Sequence, residues 1–247
     1  MPVAAVIFDL DGVIVDSEIW WHEERVAWAA ERGLRWTEAD TRAVMGANSR
    51  GWARIMRERL ALPKADEPAI LEDLVRRMVH RYRLGAPLID GAVEAVRRIA
   101  AQWPVAVASS AHRAIIDAAL ATSGLGATIH IVVSSDEVAH GKPEPDVYLE
   151  AARRLGVPAP ACLVVEDSIN GVRAGVAAGM TVILVPNASL PPAPGAAELA
   201  HHLLSRLRDL DPDRIRLRPD ADDGEGRGRP VPASEVTSSG SRRLDRR

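Results

Sequence analysis

Apolar residues fall along this chain in two rhythms. Short, unbroken apolar runs rich in β-branched residues recur at Ala4–Phe8, Val105–Ala108, Ile129–Val133, Cys162–Val165 and Thr181–Val185. Runs of that kind predict strands buried on both faces, as in a parallel sheet covered by helices. Between them the pattern lengthens to that of amphipathic helices, roughly over Ala92–Ala101, Arg113–Thr122, Pro145–Leu155 and Ile169–Ala178. Gly124, Gly156 and Gly179 follow three of these and suit C-terminal caps. Strands and helices alternate, so the expected fold class is α/β, with an open, doubly wound parallel sheet.

Residues 17–86 break this rhythm. "EIWWHEERVAWAAERG", "TEADTRAVMG", "SRGWARIMRERL" and "PAILEDLVRRMVHRYRLG" all read as helices, the first ended by Gly33 and the second opened by Thr37 as N-cap. The block is expected to be an α-helical cap inserted after the first strand, leaving 1–16 and 87–211 as the core. Five of the six tryptophans (Trp20, Trp21, Trp28, Trp36 and Trp52) fall in it. They are expected chiefly as its core, with a substrate-facing position for one of them the lesser alternative. From 212 to 247 the chain turns to mixed charges, Gly, Pro and Ser, and is expected to be a disordered tail.

Composition narrows the function. The formal net charge of −3 offers no basic field for nucleic acid. No uncharged apolar run is long enough to span a bilayer, and the first residues lack the pattern of a signal peptide. Cys162 is the single cysteine, set in an apolar run, which fits an inert packed thiol in a reducing compartment. A cytoplasmic, soluble protein is therefore expected, without nucleic-acid or membrane partners. The seven histidines are scattered without metal-ligand spacing and read as surface or core residues, with His112, just after the serine segment, the one placed to reach a substrate there.

The chemistry begins at "VIFDLDGVIVDS", where a buried strand ends in two aspartates. Such a pair is costly to bury unless a cation or a reaction uses it. Ligands of a doubly wound sheet bind at the carboxyl ends of its strands. Ser109 and Ser110 follow the second strand, Lys142 lies beyond the third, and Glu166 and Asp167 follow the fourth. Four separate segments thus deliver carboxylates, hydroxyls and a lysine to one edge. Taken singly, each has an ordinary reading: Asp167 could cap the next helix and Lys142 could be a solvated loop charge.

Together, "FDLDGVIVDS", "VASSAHR", "GKPEPDVY" and "VVEDSINGVRAG" resemble the four ordered motifs of the haloacid dehalogenase-like hydrolases. The helical insert matches the cap position of their phosphatase and β-phosphoglucomutase-like branch. The resemblance covers about residues 1–210 and implies a phosphomonoester substrate, Mg²⁺ and, as the default of this branch, a monomer. It implies Asp9 as nucleophile, Asp11 as general acid and base, and Ser109 and Lys142 as groups that bind and neutralise the phosphoryl oxygens. It also implies Asp9, the Asp11 carbonyl and Asp167 as metal ligands, with Glu166 as a direct or water-bridged helper. Ser110 would sit beside the substrate. In the cap loop "GANSRG", Arg50 could clamp an anion and Asn48 could read a hydroxyl, or both could simply be solvated.

Three function classes follow. The first is a Mg²⁺-dependent phosphatase acting on a small sugar phosphate or related metabolite. The second is a sugar-phosphate mutase, disfavoured because Trp21 stands where β-phosphoglucomutases carry a cap histidine, with His22 one place later. The third is a binding module that kept the fold, disfavoured by the retained Asp11.

Overall fold

The computed structural model describes residues 2–217. Six parallel strands form one sheet: β1 (Ala5–Phe8), β2 (Val105–Ser109), β3 (Ile131–Ser134), β4 (Cys162–Glu166), β5 (Thr181–Leu184) and β6 (His202–Leu203). Their order across the sheet is β3-β2-β1-β4-β5-β6. The strand order reverses at β1, so the crevice at its carboxyl end is the natural ligand position.

Period two explains why the strands are apolar throughout. Val6, Phe8, Val105, Val107, Leu163 and Val165 pack into one hydrophobic layer, while Ala5, Ile7, Ala106, Ala108, Cys162 and Val164 pack into the other. Helices α5 (Ala92–Ala100) and α6 (Arg113–Ser123) cover the first face. Helices α7 (Asp146–Leu155), α8 (Ile169–Ala177) and α9 (Ala196–Leu199) cover the second.

The insert holds four helices: α1 (Glu18–Ala30), α2 (Glu38–Val44), α3 (Ser49–Arg59) and α4 (Glu67–Leu84). Thr37 caps α2 with a reciprocal bond to Asp40, as its sequence position predicts. The two ends of the insert run side by side: Val15 pairs with Leu88, Asp16 N–H donates to the Pro87 carbonyl, and Ile89 N–H donates to Ile14. Helix α4 also packs on α6, and Thr122 donates to the Tyr82 carbonyl.

Two expectations need correction. The third strand begins at Ile131 instead of Ile129, because Ile129 closes a turn by donating to Leu125. The C-terminal boundary also lies later than 211. Pro212 and Leu217 are buried, and Ile215 packs against the same core. The rest of the expected tail lies outside the described residues. Cys162 is fully buried, and burial pushes its thiol up to about 11. Among the described residues, no helix is long and apolar enough to cross a membrane.

Candidate active site

The carboxyl ends of β1, β2 and β4 and the loop after β3 meet in one cavity of about 130 Å³. Its walls include Asp9, Asp11, Ser109, Ser110, Lys142 and Asp167 from the core. Glu18, Trp21, Arg25 and Trp52 close it from the insert. The Asp9 N–H donates to the Val165 carbonyl, extending the β1–β4 ladder by one residue and fixing where its side chain emerges.

Lys142 is the central cation. Its Nζ donates to Asp9 Oδ1 at 2.8 Å, Glu166 Oε1 at 2.6 Å and the Ala108 carbonyl at 3.1 Å. Burial pulls the lysine pKa down, but the Asp9 and Glu166 carboxylates outweigh it and hold it above the usual range. Nζ also lies 4.8 Å from the Tyr148 ring centre.

Glu166 is fully buried and heavily bonded. Oε1 accepts from Lys142 and, at 2.8 Å, from the Tyr148 hydroxyl. Oε2 accepts from the backbone N–H groups of Asp167 and Ser168 and from the Ser168 hydroxyl. Burial alone would raise its pKa, but Lys142 outweighs that and keeps it ionised. Its oxygens therefore clamp Lys142 and the turn into α8. Ser168 caps that helix by accepting from the Gly171 N–H, which leaves Asp167 free of the capping role.

Asp167 instead faces β1. A Cβ at Gly12, whose φ is +80°, would overlap its carboxylate, so only glycine permits this approach. Asp9, Glu166 and Asp167 bring carboxylate oxygens within 4.8 Å of one another. Burial pushes Asp9 up to about 7 and, with repulsion from Glu166 and Asp9, raises Asp167 well above the carboxylate range. One lysine does not neutralise this set. An all-oxygen, anion-rich pocket with one cation too few fits a hard divalent ion.

Asp11 is held by the Ser17 hydroxyl, and burial raises its pKa. The Ser109 hydroxyl accepts from the Ala111 N–H at 3.0 Å, which fixes it at the mouth of β2.

In the cap loop, the solvated of the two open readings describes Arg50, and Asn48 takes a structural role instead. Arg50 is exposed and does not line the cavity. Asn48 is the N-cap of α3, its Oδ1 accepting from Gly51 N–H at 2.9 Å. His112 likewise caps α6. The insert's side of the cavity is formed by Gly46 and Ala47 of the cap loop, by Trp52, and by Glu18, Trp21 and Arg25, spaced three and then four residues apart on one face of α1. That spacing is visible in the sequence, where an apparently structural tryptophan-rich helix masked it. Tyr148 was also unassigned, although it lies inside "GKPEPDVY".

Residues 3–179 match the haloacid dehalogenase-like hydrolase family. The chain belongs to that family. CbbY of Rhodobacter capsulatus is 32% identical to this hydrolase over 200 residues, covering 76% of this chain and 87% of its own. Fructose-1-phosphate phosphatase YqaB of Escherichia coli is 35% identical over 185 residues, covering 73% and 95% respectively. The crystal structure of β-phosphoglucomutase from Clostridium difficile superposes with a TM-score of 0.72 over 85% of this chain and 93% of that one. Its identity is 18%, so this likeness speaks for the fold alone. The hydrolase is a phosphoric monoester hydrolase.

Proposed function

We propose that this hydrolase is a Mg²⁺-dependent phosphatase that cleaves a small phosphorylated metabolite of the sugar-phosphate class through an aspartyl-phosphate on Asp9. The observation that carries the reading is the pairing of Asp9, held by Lys142, with Asp11, a second carboxylate poised in the same cavity. The cavity's small volume and the activity named for YqaB support the substrate class.

Lys142 holds Asp9 through Oδ1, leaving Oδ2 as the attacking atom. As Oδ2 bonds to phosphorus, the bond to the leaving oxygen breaks. Burial keeps Asp11 protonated to higher pH than an ordinary aspartate, so it can give its proton to that oxygen. The Asp11 carboxylate then takes a proton from water as the water oxygen attacks the same phosphorus. Phosphate leaves and Asp9 is regenerated. Ser109 and the N–H groups entering α6 suit the phosphoryl oxygens, and Lys142 offsets their charge. Asp9, Asp167 and the Asp11 carbonyl would hold Mg²⁺, with Glu166 bracing them from behind. The ion supplies charge neutralisation that lets a carboxylate approach a phosphate dianion.

Two features favour hydrolysis over phosphoryl transfer between sugar positions. Trp21 occupies the cap wall, and His22 is turned to Thr41, with its Nδ1 2.7 Å from the hydroxyl. The test is phosphate release from a panel of sugar phosphates and other small phosphomonoesters with Mg²⁺ or EDTA, using wild type and Asp9→Asn. Release that needs Mg²⁺ and vanishes in the variant supports the reading. Conversion of β-glucose 1-phosphate to glucose 6-phosphate without release would replace it by the mutase.

A further inference from the structure

The cavity contains two ionisable side chains that this chemistry leaves unused, Glu18 and Arg25. Arg25 lines its cap wall and is only 5% exposed. Its guanidinium lies over two indoles, 4.8 Å from the Trp21 ring centre and 5.6 Å from that of Trp52. Among the described residues, nothing accepts a hydrogen bond from it and no carboxylate stands at ion-pair distance; its Nε is buried without a partner. Elsewhere in the insert, Arg57, Arg77 and Arg81 are half-buried and each meets a glutamate.

A guanidinium carries five N–H donors and no acceptor. The indole faces offset part of its desolvation but satisfy none of those donors. Burial pulls its pKa down only to about 10, so it remains a cation at neutral pH. Glu18, two turns away on α1 and about 10 Å along the axis, feels Arg25 only through space and makes neither a hydrogen bond nor an ion pair with it, so the guanidinium donors stay unpaired. A buried, forked cation facing a ligand cavity is complete when the ligand brings the acceptor.

We propose that Arg25 recognises a second acidic group, a carboxylate or a second phosphate, on the end of the substrate remote from the scissile phosphoryl group. The proposal rests on the phosphatase reading for the identity of the near end. Trp21 and Trp52 hold the guanidinium plane and cover the carbon chain between the two ends. A neutral sugar phosphate of the same length leaves the fork unpaired and binds less tightly.

The test uses matched pairs that differ only at the far end. One pair is 6-phosphogluconate against glucitol 6-phosphate, for the carboxylate. The other is fructose 1,6-bisphosphate against fructose 1-phosphate, for the second phosphate. Binding is measured by calorimetry in the Asp9→Asn background, so it does not depend on turnover. At least one pair should favour the acidic member by about tenfold or more, and Arg25→Gln should bring that ratio to near one. Arg25→Lys, which keeps the charge and loses the fork, should fall between them. Circular dichroism checks that each variant is folded. Ratios near one for both pairs before substitution, or a preference that survives Arg25→Gln, overturn the proposal. Phosphate release by the wild type is scored separately, so failure of the phosphatase reading shows as absent release whatever the binding ratios are.

Discussion

Glu18 is held up to about 7 by burial and by repulsion from Asp11. An acid raised in the folded state contributes stability that is complete below its unfolded pKa, near 4, and is lost as pH climbs through the folded value. Wild type should therefore lose melting temperature relative to Glu18→Gln between about pH 5 and 8 in metal-free buffer. Paired melting curves at the two pH values check this, and a constant difference would mean that Glu18 titrates normally. For Asp11, the mechanism demands a proton donor and acceptor. Asp11→Asn should slow turnover by about 10²- to 10⁴-fold with a smaller change in KM. Asp9, Asp11, Ser109, Lys142 and Asp167 were legible in the sequence because each follows a strand end in the expected order. Arg25 was not, since nothing in a tryptophan-rich helix says which face meets a cavity. Arg50 stayed open between two readings for a related reason: a loop beside a cleft does not reveal where its side chains turn.

At the scale of elements, the apolar runs located five strands within one or two residues. Strand β6 escaped because His202–Leu203 is too short and too polar to show a pattern. The cap helices were visible through their punctuation, as with Thr37 before α2. Asn48 belongs to the same grammar, and its N-cap role predicts a stability effect. Asn48→Ala should cost about 1 kcal/mol in denaturant titrations, whereas Arg50→Ala should leave both stability and KM near wild type. A large KM change from Arg50→Ala would return that residue to the substrate. Gly171 places a stricter demand on α8. A Cβ there would collide with the Glu166 carboxylate. Gly171→Ala should displace the clamp on Lys142 and lower kcat at least tenfold by misplacing the Asp9 partner, readable in single-turnover assays.

For the whole molecule, the packed segment beyond 211 belongs to the folded unit. Truncation after Leu210 removes Pro212, Ile215 and Leu217 from the core and should lower the melting temperature by roughly 5–10 °C. Composition alone hid this boundary, because three apolar side chains among charges do not register as a pattern. The two chain crossings between core and insert, paired at Val15 and Leu88, have a mechanical meaning. Asp16 is also tied to the loop after β5 by Asn187 and Ser189. The insert is thus anchored along two lines, at its paired crossings and again where α4 lies on α6.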